Sequence, residues 1–142
     1  MSKKIFLSSD HGGFDLKECI KDFLKNNNYD FEDLGCDSLI AVDYPDYAKA
    51  LAKKLIINNQ FRGILFCGTG IGISMAANRF SHIRAALCTN VEMASKSRKH
   101  NNANVLALGG RILKKSLAKD IVKEFLNTEF ENGRHTLRVN KI

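Results

Sequence analysis

Arg62-Gly63-Ile64-Leu65-Phe66 runs straight into Cys67-Gly68-Thr69-Gly70-Ile71-Gly72, and this passage decides the fold. Ile64-Leu65-Phe66 is apolar on both faces, as a strand buried between two layers must be. The glycines at 68, 70 and 72 let the backbone turn sharply and approach a ligand closely. A helix is expected over 71–79; its first N–H groups lack intrahelical partners and its dipole end is positive. Strand, glycine turn and helix start together make a seat for negative charge. The alternative is a tight turn that binds nothing.

On either side the pattern alternates. Short apolar runs predict strands over 4–9, 29–34, 62–66, 84–88 and 104–108. Helical spacing, as in Phe14, Leu16, Cys19, Ile20, Phe23 and Leu24, predicts helices over 14–27, 45–58, 91–99 and 114–126 besides the one after the glycine loop. Pro45 suits a first helical turn, where its missing N–H has no partner to lose. Continuously apolar strands separated by helices imply an α/β, Rossmann-like, three-layer α/β/α sandwich around a five-stranded parallel sheet. The 142 residues suit one domain, 1–142, ending in a basic and weakly periodic tail over 127–142.

In such sheets ligands bind beyond the carboxyl ends of the strands. The segments to inspect are therefore Ser9-Asp10-His11-Gly12-Gly13, Gly35, Cys67 to Gly72, Cys88-Thr89-Asn90 and Gly109-Gly110-Arg111. Cys67 is either a small buried hydrophobe or, beside a helix N-terminus that favours thiolate, a nucleophile or general base. Asp10 is either a helix cap or, with His11, an acid/base or hydroxyl-binding pair. His100 either closes a helix C-terminus or protonates a ligand oxygen near neutral pH. Arg134 and Arg138 lie in the tail, where the choice is between a phosphate-binding fork and a solvated end.

Composition narrows the classes. Residues 1–71 carry 9 Lys+Arg against 10 Asp+Glu, and residues 72–142 carry 13 against 5, so the net charge of +7 comes entirely from the second half. That bias suits a phosphorylated metabolite, a nucleic acid, or a plain solvated surface. Nucleic acid ranks low, because few aromatics sit near the basic residues and no helix-turn-helix or zinc-finger motif is present. The glycine loop follows the third strand instead of the first and spaces its glycines wrongly for a dinucleotide, so a nicotinamide cofactor is not expected. Cys19, Cys36, Cys67 and Cys88 form no C-x-x-C pair and no zinc-site spacing, so no metal is expected. Scattered thiols, and no apolar run of membrane length, point to the cytoplasm and away from a membrane.

Five motifs occur in order: Ser9-Asp10-His11-Gly12-Gly13, Tyr44-Pro45-Asp46, Cys67 through Ser74, Ser97 through Leu106, and Gly133 through Arg138. In this combination the chain resembles the ribose-5-phosphate isomerase B type, within the group that includes galactose-6-phosphate isomerase subunits. The resemblance implies a cofactor-free aldose–ketose isomerase for ribose 5-phosphate and ribulose 5-phosphate, with allose 6-phosphate or galactose 6-phosphate as the alternative substrate. It implies Cys67 as the base acting through a cis-enediolate, the N–H groups of Gly68, Thr69, Gly70, Ile71 and Gly72 as the anion hole, and His100 as the ring-opening acid with Asp10 nearby. His11, Tyr44, Asn101, Arg111, Arg134 and Arg138 match substrate-binding positions, the three arginines together as the phosphate grip. It further implies a homodimer with sites shared across the interface, and leaves a tetramer open. Some members place a glutamate further along the loop region, but Ser74 to Ala77 offers no acid here.

Overall fold

The computed structural model describes residues 3–142. Five strands, β1 (Ile5–Ser9), β2 (Phe31–Asp33), β3 (Arg62–Cys67), β4 (Ala85–Leu87) and β5 (Val105–Gly109), form one sheet in the order β2-β1-β3-β5-β4. Every pairing is parallel. Six helices accompany them: α1 (Phe14–Asn26), α2 (Tyr44–Leu55), α3 (Ile71–Ala77), α4 (Val91–Lys99), α5 (Lys115–Asn127) and α6 (Arg134–Val139). The expected α/β sandwich with a five-stranded parallel sheet is what forms.

Strand periodicity of two divides the core into two layers. Ile5, Leu7, Ile64, Phe66, Leu106 and Leu108 point to one face and pack with residues of α1, α4 and α5. Phe6, Leu65, Cys67, Val105 and Ala107 point to the other and pack with Leu51 of α2 and Ile73 of α3. Cys67 therefore ends a central strand on the α2/α3 side. The connection after β1 leads outward to β2, whereas that after β3 leads the other way to β4, past β5. The crevice between the carboxyl ends of β1 and β3 is thus the topological switch point, where sheets of this kind take ligands.

The two edge strands are shorter than expected, because each pairs on one side only and its residues are half-buried. On the open side of β4, the Asn78 amide donates to the Ala85 carbonyl (2.9 Å) and accepts from the Ala85 N–H (2.8 Å). At β2, Lys17 is wholly buried on α1 and donates to both oxygens of Asp33 (2.8 and 2.7 Å). Burial works against the Asp33 charge, but hydrogen bonds from Lys17, Lys21 and the Gly35 N–H outweigh it and hold the carboxyl below its ordinary range. This anchors the start of the long connection into α2.

Gly13, before α1, sits against β3. A Cβ there would lie 2.4 Å from the Phe66 carbonyl carbon and 2.5 Å from its Cβ, with no flexible side chain to yield. Gly13→Ala is expected to destabilise the protein by about 3 kcal/mol through overpacking. Denaturant unfolding checks this: the midpoint falls while the slope is unchanged.

Candidate active site

Three loops meet at the carboxyl edge. After β1, the Asp10 N–H donates to the Phe66 carbonyl (3.2 Å), and the Asp10 carboxylate accepts the Gly13 N–H (3.2 Å). The cap reading of Asp10 is therefore correct, and it uses one carboxylate oxygen; the other has no partner among the described residues. His11 Nδ1 accepts the Val42 N–H (3.2 Å), which assigns the ring proton to Nε2 in the neutral form. After β5, the Gly110 N–H donates to the Cys67 carbonyl (2.8 Å) and the Arg111 N–H to the Gly68 carbonyl (2.9 Å). These bonds lock the β5 loop to the β3 loop, and Arg111 Nη1 lies 3.3 Å from where a Gly68 Cβ would be.

The β3 loop is shaped by two glycines in particular. Gly70 has φ +79°, and a Cβ on it would strike Leu87 and the Leu108 backbone. At Gly72 a Cβ would lie 2.7 Å from the Tyr44 ring, which packs over the start of α3. Cys67 is 5% exposed, and its Sγ accepts the Gly70 N–H at 3.1 Å. The Ile71 N–H turns to Thr69 Oγ1 (3.2 Å). The N–H groups of Gly68, Thr69 and Gly72 make no such bond among the described residues, so they remain available as donors.

The remaining expected site residues lie elsewhere. α4 leaves the carboxyl edge and returns to the amino edge, so His100 and Asn101 fall beside the start of β5. The tail follows them there as a helix anchored by His135 and not as a loose end, with Arg134 and Arg138 exposed on it. Glu131 N–H donates to the Lys99 carbonyl (3.1 Å), and α6, not expected from the sequence, forms over Arg134–Val139. His135 of α6 stacks on His100 with ring centroids 4.2 Å apart and planes 14° apart. His100, Asn101, His135 and Arg138 line a cleft of about 410 Å³. Glu131 Oε1 lies 3.9 Å from His100 Nε2 and 3.6 Å from His135 Nε2. Burial pushes the His135 imidazole below its ordinary value, and the charges of Arg134 and His100 add to this. These three residues are close enough to share a cation, but near-parallel rings aim their lone pairs side by side and not at one point, which is poor metal geometry.

Within one chain Asp10 does not lie near His100, and the three arginines do not form one grip, since Arg111 is at the carboxyl edge and Arg134 and Arg138 are at the other. The resemblance places both groupings in sites shared between two copies, so a single chain holds only part of each. Central strands of five residues (β1, β5) and six (β3) separate the two edges by roughly 15 Å. The sequence reading also missed Glu131 and His135 as neighbours of His100; their one signal was the Gly133-Arg134-His135 turn-and-ring pattern in a tail without apolar periodicity.

Known proteins share this fold. Residues 5–142 match the Ribose/Galactose Isomerase family. The ribose-5-phosphate isomerase B of Escherichia coli K12 is 44% identical over 140 residues, covering 99% of this chain and 94% of that one. A solved ribose 5-phosphate isomerase of Thermotoga maritima superposes with a TM-score of 0.96 at 48% identity, covering 99% and 97% of the two chains. The Mycoplasma genitalium ribose-5-phosphate isomerase B, solved with bound ribulose-5-phosphate, gives 0.95 at 43% identity over 99% of this chain and 94% of that one. With a matching family over nearly its whole length and relatives of this similarity, the chain belongs to the ribose/galactose isomerase family.

Proposed function

We propose that this protein interconverts D-ribose 5-phosphate and D-ribulose 5-phosphate. The observation that carries the reading is a thiol at the switch-point crevice beside backbone N–H groups left without acceptors. In the open-chain aldose, Cys67 as thiolate takes the C2 proton. The C2 electron pair forms the C1–C2 double bond, and O1 becomes an oxyanion. The N–H groups of the glycine loop stabilise that charge in the transition state. The proton returns to C1 while the O2 proton passes to O1, which restores the C1 hydroxyl and leaves the carbonyl at C2. Tyr44 lines the sugar pocket, and His11 presents its Nε2–H to substrate.

The aldose is mostly a furanose, so its ring must open first. His100 is assigned the ring-opening proton transfer, and Arg134 and Arg138 the phosphate. Because these stand at the far edge of the same sheet, the reading requires a second copy of the chain to bring them to the first copy's crevice. Ile71, Met75, Met93, Ile112 and Leu137 are exposed apolar side chains on α3, α4, the β5 loop and α6, the composition of an interface core and not of a solvated rim. A homodimer with two shared sites follows. No helix of the described residues is long and apolar enough to cross a membrane. The four free thiols fit a reducing compartment, and the cytoplasm is the proposed location.

Purified protein is expected to convert ribose 5-phosphate in a coupled assay containing a chelator, and to prefer it over allose 6-phosphate. Absence of turnover on both would sink the reading, and preference for the hexose would reassign the substrate. His100→Ala should reduce turnover of the cyclic sugar by about a hundredfold or more, with a much smaller loss on an open-chain analogue. Equal losses would remove His100 from ring opening.

A further inference from the structure

Three arginines at the amino edge of the sheet share one cleft and keep unused donors in it. Arg62 begins β3, Arg84 precedes β4, and Arg98 lies in the last turn of α4. With Asn102, Asn104 and Asn132 they line a space of about 320 Å³, distinct from the His100 cleft. Arg98 is 2% exposed and Arg62 6%. Arg98 uses Nε on the Thr128 carbonyl (3.1 Å) and Nη1 on the Asn102 amide oxygen (3.1 Å) and the Ala103 carbonyl. Arg84 uses Nε on the Asn102 carbonyl (2.8 Å), and Arg62 uses Nη1 on the carbonyls of Asn59 and Phe61. Oxygens of the turns before β3 and β5 and of the end of α5 account for those nitrogens. It does not account for Nε and Nη2 of Arg62, both terminal nitrogens of Arg84, or Nη2 of Arg98. These have no acceptor among the described residues, and none is a buried orphan, so they reach solvent.

The charge is only partly compensated. Among the described residues no salt bridge reaches the three guanidinium groups, and Glu129 at the rim, which favours the charged forms of Arg62 and Arg98 from a longer distance, is itself paired with Lys3 at 3.0 Å. Burial first, and then the charge of Arg62, push Arg98 down to about 10. Three guanidinium forks held within a polar cleft cost stability unless an anion joins them, and forks of this kind match phosphate oxygens two at a time.

We propose that this cleft is a second anion site, which takes a compact phosphate dianion such as inorganic phosphate or pyrophosphate. The proposal stands independently of the isomerase reading, and none of its arginines belongs to the crevice or to the His100 cluster. An occupant would join the Asn102–Asn104 turn to Asn132, the two segments that flank His100 and Glu131, and so brace the amino-edge cluster.

Calorimetric titration of the full chain with pyrophosphate at low ionic strength tests it, carried out in an Arg138→Ala background so that the proposed substrate grip is weakened. Binding is expected to persist there and to weaken by about tenfold when Arg84→Gln is added. Gln60→Glu, which puts a carboxylate at the exposed rim, should weaken it similarly; should Arg84→Gln fail to fold, this variant decides alone. In otherwise unaltered protein, Arg84→Gln should keep isomerase turnover within about twofold when no pyrophosphate is present. No binding in the Arg138→Ala protein, or binding that neither added substitution changes, overturns the proposal. A collapse of turnover in folded Arg84→Gln would also overturn it, by making the cleft part of the catalytic apparatus.

Discussion

Cys67→Ala lowers kcat for ribose 5-phosphate by at least about a thousandfold, with KM changed little. The thiol is the only titratable side chain on the β3 loop, and the Gly70 N–H already bonds its sulfur at 3.1 Å. Alanine removes the proposed base but leaves the N–H groups of Gly68, Thr69 and Gly72 in place, so substrate should still be held. The cavity is small and lies at the sheet edge, so folding should survive; circular dichroism and the unfolding midpoint serve as the control. Steady-state kinetics read the outcome. Turnover within tenfold of the parent in a folded variant would take the proton transfer away from Cys67.

The second large effect is a gain. Cys67→Ala and His100→Asn homodimers should each be nearly inactive on cyclic substrate. Mixed in equal amounts under conditions that let subunits exchange, half of the dimers contain one of each. In every such heterodimer both lesions fall into one site and the other site is whole. Activity should therefore climb to about one quarter of wild type. If each site were complete within one chain, every heterodimer site would keep one lesion and mixing would restore nothing. The assay thus checks directly whether the two edges of the sheet work together across copies.

How much was legible beforehand varies by element and for physical reasons. α4 lies over Val91–Lys99 as expected, because Asn90 caps it through the Met93 N–H (2.8 Å) and polar residues end it. The β3 loop was legible because glycine is the one residue able to sit under Tyr44 or to take φ +79° beside Leu87 without strain. β2 and β4 are shorter as regular strands than the sequence suggests, but single backbone bonds beyond their ends, such as the Leu34 N–H to the Leu7 carbonyl (2.8 Å) and the Cys88 N–H to the Ala107 carbonyl (3.2 Å), continue the pairing. α6 was invisible because its buried anchor, His135, is a polar residue that hydrophobic periodicity does not count. The distance between Asp10 and His100 was contained in the alternation itself. A helix that leaves one edge of a parallel sheet must end at the other, and His100 ends α4.

Asn78 has a consequence for how copies of this chain can meet. Its amide stands in for a neighbouring strand at Ala85, so a molecule approaching the β4 side does not find an open ladder there. Backbone fusion of two sheets is therefore blocked at Ala85, and in the proposed dimer association would rest on side-chain fit between helices and loops. Subunits joined in that way would part without unzipping backbone. A few apolar residues such as Met75 and Ile112 would set their lifetime together, and cellular abundance would control how many complete sites exist at any moment.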